Sequence, residues 1–175
     1  MTTAARHVLK DCRLAHAMLE DETEPDKFRV LWVAASALIR SVGQVLDKID
    51  GQDPHLRAVA RERYNLWRKD NAEHLIFRNF IKQERDLVIH EYRSNLDPRE
   101  NLPVAIIDGR PALISETDAA VDSSYRLDEN IFRPFAGGRW AGEDVRDVLL
   151  EAMEWWEREL TVIDAARDDK RELQP

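Results

Sequence analysis

Phe28-Arg29-Val30-Leu31-Trp32-Val33-Ala34-Ala35-Ser36-Ala37-Leu38-Ile39-Arg40-Ser41-Val42-Gly43-Gln44-Val45-Leu46 is the most apolar part of the chain. Phe28, Leu31, Trp32, Ala35, Leu38, Ile39, Val42, Val45, Leu46 and Ile49 recur at three- and four-residue spacing. That is the signature of one broad helical face, and it predicts a helix from about Asp26 to Asp50. Ala34, Ala35, Ser36, Ala37, Ser41 and Gly43 are small enough to let another helix approach closely. This is the candidate central core helix. The most apolar run, Val30 to Ile39, lies between Arg29 and Arg40 and is about half the length that crosses a bilayer.

Helical patterns continue on both sides. Val8, Leu9, Cys12, Ala15, Met18 and Leu19 predict a first helix over Thr3 to Glu20, which Asp21 to Asp26 and Pro25 interrupt. Downstream, Asp50-Gly51-Gln52-Asp53-Pro54 reads as a stop and a restart. Gly51 suits a left-handed C-cap, Asp53 an N-cap and Pro54 the first helical turn. The next forty residues contain no Gly or Pro and read as two helices, about 54–69 and 71–95, with Asp70 and Glu73 as a capping box at the break. Asn95-Leu96-Asp97-Pro98 ends the second. A final helix is predicted from Glu143 to about Arg167, followed by a charged, frayed tail. Its apolar face carries Val145, Val148, Leu149, Ala152, Met153, Trp156, Leu160 and Ile163. Trp155 and Trp156 diverge by about 100° and do not share the centre of one stripe, so one of them marks an intersubunit contact or a domain edge.

Residues 99–142 differ in character. Val104-Ala105-Ile106-Ile107, then Asp108-Gly109, then Arg110-Pro111-Ala112-Leu113-Ile114 reads as a β-hairpin with a two-residue turn. Pro111 restricts its strand to an edge. A third short extended piece is expected around Tyr125 to Leu127. With few large apolar side chains, 99–142 is an insertion and not a second domain. The expected fold is mainly α: one domain over 1–175, a bundle of four to five helices with a small β-hairpin insertion before the last helix.

The chain has 175 residues and a formal net charge of -8, with a single cysteine, Cys12. One cysteine excludes an internal disulfide and fits a reducing compartment. The N-terminus lacks a signal peptide's basic start and long apolar middle, so the expectation is a cytoplasmic protein with no membrane partner. Net acidity argues against binding nucleic acid by bulk electrostatics. The charge is uneven, however: Arg57 to Arg99 holds ten Lys/Arg against seven Asp/Glu, and Glu100 onward nine against eighteen. His7 and His16 have no partner at metal-ligand spacing and read as surface or half-buried residues; no metal or cofactor site is expected.

Chemistry-bearing side chains crowd into Glu84-Arg85-Asp86-Leu87-Val88-Ile89-His90-Glu91-Tyr92. Arg85 and Tyr92, seven apart, share a meridian of an α-helix, and Asp86, His90 and Arg93 form a second row. Arg85 and His90 point about 140° apart, so either their long side chains converge on a phosphate at the helix edge or a second helix, from this chain or a second subunit, completes the site. Arginine holds phosphate through a planar fork, and histidine serves as base or acid near neutral pH. The alternative for these residues is an ion-pair row of Glu84, Asp86, His90 and Arg93 on a solvated helix face.

The run Arg85-Asp86, then His90 after four intervening residues from Arg85, then Tyr92 resembles the signature of the HEPN superfamily of small helical domains, and in particular its toxin-like subset. The resemblance covers nine residues directly, within a helical context from Phe28 to Leu96. It implies a metal-independent endoribonuclease that leaves 2′,3′-cyclic phosphate ends, a toxin or defence effector acting as a homodimer whose two Arg–His pairs line one cleft. It implies Arg85, His90 and Asp86 as the catalytic set, and Tyr92 as a residue modified with AMP by a partner nucleotidyltransferase antitoxin. Asp at the position after Arg, where Asn is more usual, puts a negative charge beside the substrate phosphate. Many HEPN domains are inactive, and the alternative is a non-catalytic helical module for dimerisation or protein binding.

Overall fold

Thr3–Glu20 folds as helix α1 and buries Ala5, Leu9, Cys12, Ala15 and Leu19, the face its periodicity predicts. Four residues reverse the chain, and α2, Pro25–Lys48, returns along α1 with Phe28, Trp32, Ala35, Ser36, Ile39, Val42 and Leu46 buried. Pro25 opens α2, where its missing N–H costs nothing. By length and composition the segment Pro25–Gln52 matches a membrane-crossing helix, and in the fold its apolar stripe packs on α1 and on the last helix. A 3-10 turn, Asp50–Gln52, leads to α3, Pro54–Trp67. A π-helical turn, Phe77–Lys82, runs into the short α4, Gln83–Asp86. The last helix, α5, spans Val145–Glu172. The protein is thus a mainly helical bundle. The computed structural model describes residues 1–87, 91, 95–96, 104–107, 110–113 and 133–172, with the backbone alone at 85, 104–107, 110–113, 170 and 172.

Among the described residues two short strands, β1 (Val104–Ile107) and β2 (Arg110–Leu113), pair antiparallel, with Val104 opposite Leu113 and Ile107 opposite Arg110. The expected turn Asp108-Gly109 and the expected extended piece Tyr125–Leu127 lie outside the described residues.

The helix ends show where local signals succeed and where they do not. Asp53 caps α3 as expected, accepting hydrogen bonds from the N–H groups of His55 (2.9 Å) and Leu56 (3.3 Å). Gly51 is not a left-handed C-cap. It sits buried in the 3-10 turn, where a Cβ would stand 3.2 Å from the carbonyl oxygen of Leu46, so the residue serves close backbone approach. At the break after α3 the cap is Asn71, whose Oδ1 accepts from the N–H of His74 at 3.0 Å. Asp70 does not form the expected capping box; it accepts from Arg78 at 2.9 Å, and Arg78 also binds the backbone oxygens of Lys69 and Asn71. The first turn of α1 is capped from a distance: the Asp50 carboxylate accepts from the N–H groups of Ala4 (2.9 Å) and Ala5 (2.8 Å). Asp144 caps α5 and holds Arg146 through a buried fork at 2.9 and 2.7 Å.

The core corrects the reading of the tryptophan pair. Trp155 is 2% exposed and Trp156 0%, so neither is an edge or intersubunit residue in this chain. They do diverge, but α5 is wrapped on several sides by α1, α2, α3 and the π-helical turn, and two of its stripes are buried. Trp155 stacks on Phe77 with ring centroids 5.3 Å apart, while Trp156 turns to α2 and donates its indole N–H to the Ile39 carbonyl at 2.9 Å. Trp67 joins both rings edge-on. A second aromatic group, Trp32, Phe80 and Phe135, lies on the other side of the π-helical turn. Phe77 and Phe80 therefore serve two different clusters from one wide turn. Fully burying side chains of this size contributes about 2–3 kcal/mol each.

Candidate functional site

The helical turn that begins the Arg-Asp motif is anchored by Glu84. Its side chain is 3% exposed and faces the core, not a solvated helix surface. Oε1 accepts from the indole N–H of Trp32 at 3.3 Å and from the backbone N–H of Asn95 at 3.3 Å, and Oε2 accepts from the Asn95 amide at 3.0 Å. This corrects the solvated row of Glu84, Asp86, His90 and Arg93: its first member is a buried structural carboxylate. A buried carboxylate with three donors holds both chain segments around it, because releasing any donor leaves charge unsatisfied. The Asn95 carbonyl in turn accepts from the Ala136 N–H at 2.7 Å, and Leu96 bridges to Phe135. Both ends of the motif segment are therefore fixed to the bundle, one by Glu84 and the other by Asn95 and Leu96.

Asp86, two residues after Glu84, turns away from the core and is half-buried. With Gln83, Leu87 and Glu91 it lines an open depression of about 420 Å³. Arg85 belongs to α4 by its backbone. The Arg85 side chain, His90 and Tyr92 lie outside the described residues, so of the motif residues only Asp86 is placed with its side chain.

The sequence reading missed one buried polar cluster. Glu159, on α5, accepts from Arg63 Nε (2.9 Å), from Arg63 Nη2 (2.7 Å) and from the Trp67 indole N–H (2.7 Å). His74 lies beside it with Nδ1 3.7 Å from Oε1, and that Nδ1 accepts from the Trp155 indole N–H at 3.4 Å. Glu73, His74 and Glu159 bring ligand-type atoms within 4.8 Å of one another. They do not fit a metal: Arg63 already neutralises Glu159, its two oxygens are taken by three donors, and the His74 nitrogen nearest it is occupied by Trp155. The cluster is structural, tying α3, the start of the π-helical segment and α5. The one sequence cue was the four-residue spacing of Arg63 and Trp67, which places them on one face of α3. The half-buried His16 is likewise structural, its Nε2 lying 3.1 Å from the Arg146 carbonyl.

Comparison with known proteins returns no match to a family model, to a curated protein or to a solved structure.

Proposed function

We propose that this chain is a metal-independent endoribonuclease of HEPN type that works as a homodimer. The observation that carries the reading is the set Arg85, Asp86, His90 and Tyr92, launched from a helical turn whose inward residue, Glu84, is locked into the core while Asp86 faces an open depression. A π-helical turn immediately precedes the motif, and such irregular turns recur at functional sites. The motif also lies in the locally basic part of an acidic chain.

In this reading His90 takes the proton of a 2′-hydroxyl, the 2′-oxygen attacks phosphorus, and the bond to the 5′-oxygen breaks. The leaving 5′-oxygen takes up a proton from the second copy of His90, so the products are a 2′,3′-cyclic phosphate and a free 5′-hydroxyl. Arg85 stabilises the charge that builds on the phosphorane oxygens. Asp86 orients His90. The dimer supplies the second Arg–His pair and so meets the divergence of Arg85 and His90 on one helix. Residues 99–142 belong to the same proposal as a hairpin-bearing insertion before α5, and Tyr92 as the residue that a nucleotidyltransferase antitoxin modifies. In this reading the reaction needs no cofactor and the protein acts in the cytoplasm.

The second reading is a non-catalytic HEPN-like module for dimerisation or protein binding. The net charge of -8 and the carboxylate of Asp86 beside the phosphate position favour it. Incubation of a mixed RNA pool in excess EDTA with wild type and with His90→Ala separates the two. Cleavage by the wild type that disappears in His90→Ala is the expected result. A folded, dimeric wild type with unmodified Tyr92 that cuts nothing, or cleavage that survives the substitution, overturns the nuclease reading.

A further inference from the structure

Away from the motif, α2 and α3 touch little along their length and leave a cleft of about 550 Å³ between them. Trp67, Phe77 and Trp156, all buried, close its base from three different elements. On the α3 wall Tyr64 is 43% exposed, and its ring meets Trp67 and Phe77 edge-on, at 6.3 and 6.1 Å. On the α2 wall stands Gly43. A Cβ there would lie 3.0 Å from the Trp156 ring and 3.5 Å from an Arg40 guanidinium nitrogen. Glycine thus keeps the Trp156 ring, the Arg40 guanidinium and the cleft wall in register without a side chain between them.

The rim is cationic. Arg6, Arg13, Arg63, Arg146 and Arg167 all pair with carboxylates. Arg40 and Arg61, one on each wall of the cleft, make no ion pair or hydrogen bond among the described residues. The neighbouring Lys48 is neutralised by Asp47 at 3.2 Å. Both guanidinium groups border the cleft beside the exposed Tyr64.

We propose that this cleft binds a small planar aromatic anion, its ring against the exposed Tyr64 side chain and its anionic group between Arg40 and Arg61. The volume falls in the range of small-molecule sites, about 300–1,000 Å³. The span suits a small molecule as well: Arg40 to Lys48 covers roughly 12 Å of helix, too short to seat a partner helix with its usual run of apolar anchors. Guanidinium groups recognise carboxylate and phosphate through paired charge-assisted hydrogen bonds, and aromatic walls add stacking. Aromatic carboxylates and nucleotides share this chemistry. The lining residues of the cleft include none of the motif residues, and its occupancy does not depend on RNA cleavage.

Calorimetric titration of the full chain tests the proposal with naphthalene-2-carboxylate, adenosine 5′-monophosphate and the neutral 2-naphthamide. The expected result is saturable one-to-one binding of at least one anion below about 1 mM. The Arg40→Ala/Arg61→Ala double variant, whose unchanged unfolding temperature shows an intact fold, weakens that binding about tenfold or more. Saturation by the naphthoate alone assigns the site to aromatic acids and requires the amide to bind about tenfold more weakly; saturation by the monophosphate assigns it to nucleotides. If neither anion saturates, if the double variant binds as tightly as wild type, or if the amide saturates the site as tightly as the carboxylate does, the proposal falls.

Discussion

Replacing Glu159 by alanine removes the acceptor shared by Arg63 and the Trp67 indole. The Glu159 side chain is 6% exposed and that of Arg63 is 21%, so the pair is largely withdrawn from water. Three hydrogen bonds to a charged oxygen are lost, and Trp67, 2% exposed, keeps a buried N–H with no acceptor. Breaking a buried pair by deleting one partner costs about 3–5 kcal/mol. Arg63 keeps some access to solvent and regains part of its hydration, so the lower end, about 3 kcal/mol, is expected. For a chain of this size that lowers the unfolding temperature by roughly 6–12 °C. Glu159→Gln retains an acceptor for Trp67 and the shape of the side chain, and costs about 1–2 kcal/mol. Urea unfolding followed by tryptophan fluorescence reports both values, since four tryptophans are fully buried at this junction and beside it. A cycle with Arg63→Met isolates the charge pair: the double variant Glu159→Met/Arg63→Met is less destabilised than the sum of the single ones. A loss below about 1 kcal/mol for Glu159→Ala, with an unchanged denaturant slope, would refute the argument that this cluster ties α3 to α5.

Asp53→Ala removes the α3 cap and lowers stability by about 1 kcal/mol, measured by the same unfolding titration. The pH dependence at this site has a defined sign. Burial acts to raise the Asp53 carboxyl, but the Arg167 hydrogen bond and the backbone N–H groups of Leu56 and His55 outweigh it and hold the pKa below its ordinary value of 3.8. Its contribution is therefore complete above about pH 4 and fades as pH falls through the depressed folded value, and Arg167→Ala makes that acid limb of the stability curve shallower. Cys12 is buried in α1, and burial together with Asp11 pushes its thiol up to about 12. In the native state at pH 8 an aromatic disulfide reagent labels it only at the rate of unfolding, whereas rapid native labelling would show that the α1 face is not closed.

The apolar periodicity of residues 3–46 and the Asp53-Pro54 restart were sufficient to place α1, α2 and the start of α3, because a helix's own repeat and its capping chemistry are local. The end of α5 was less legible: the helix continues to Glu172, beyond the expected Arg167, and Arg167 itself is pinned to Asp53 at 2.9 Å, a contact 114 positions away. The sequence alone determined the helical class and drew attention to Arg85, Asp86, His90 and Tyr92 as chemistry-bearing types at helical spacing. Only the tertiary structure decided that Glu84 is an internal anchor, that Trp155 and Trp156 are both core, that Asn71 and not Asp70 caps the helix break, and that Arg40 and Arg61 line one cleft. The physical reason is common to all four. Periodicity reports which face of one helix is apolar, whereas a buried carboxylate, a doubly wrapped helix or a cleft is set by which neighbours reach that face, and those neighbours lie tens of residues away in sequence.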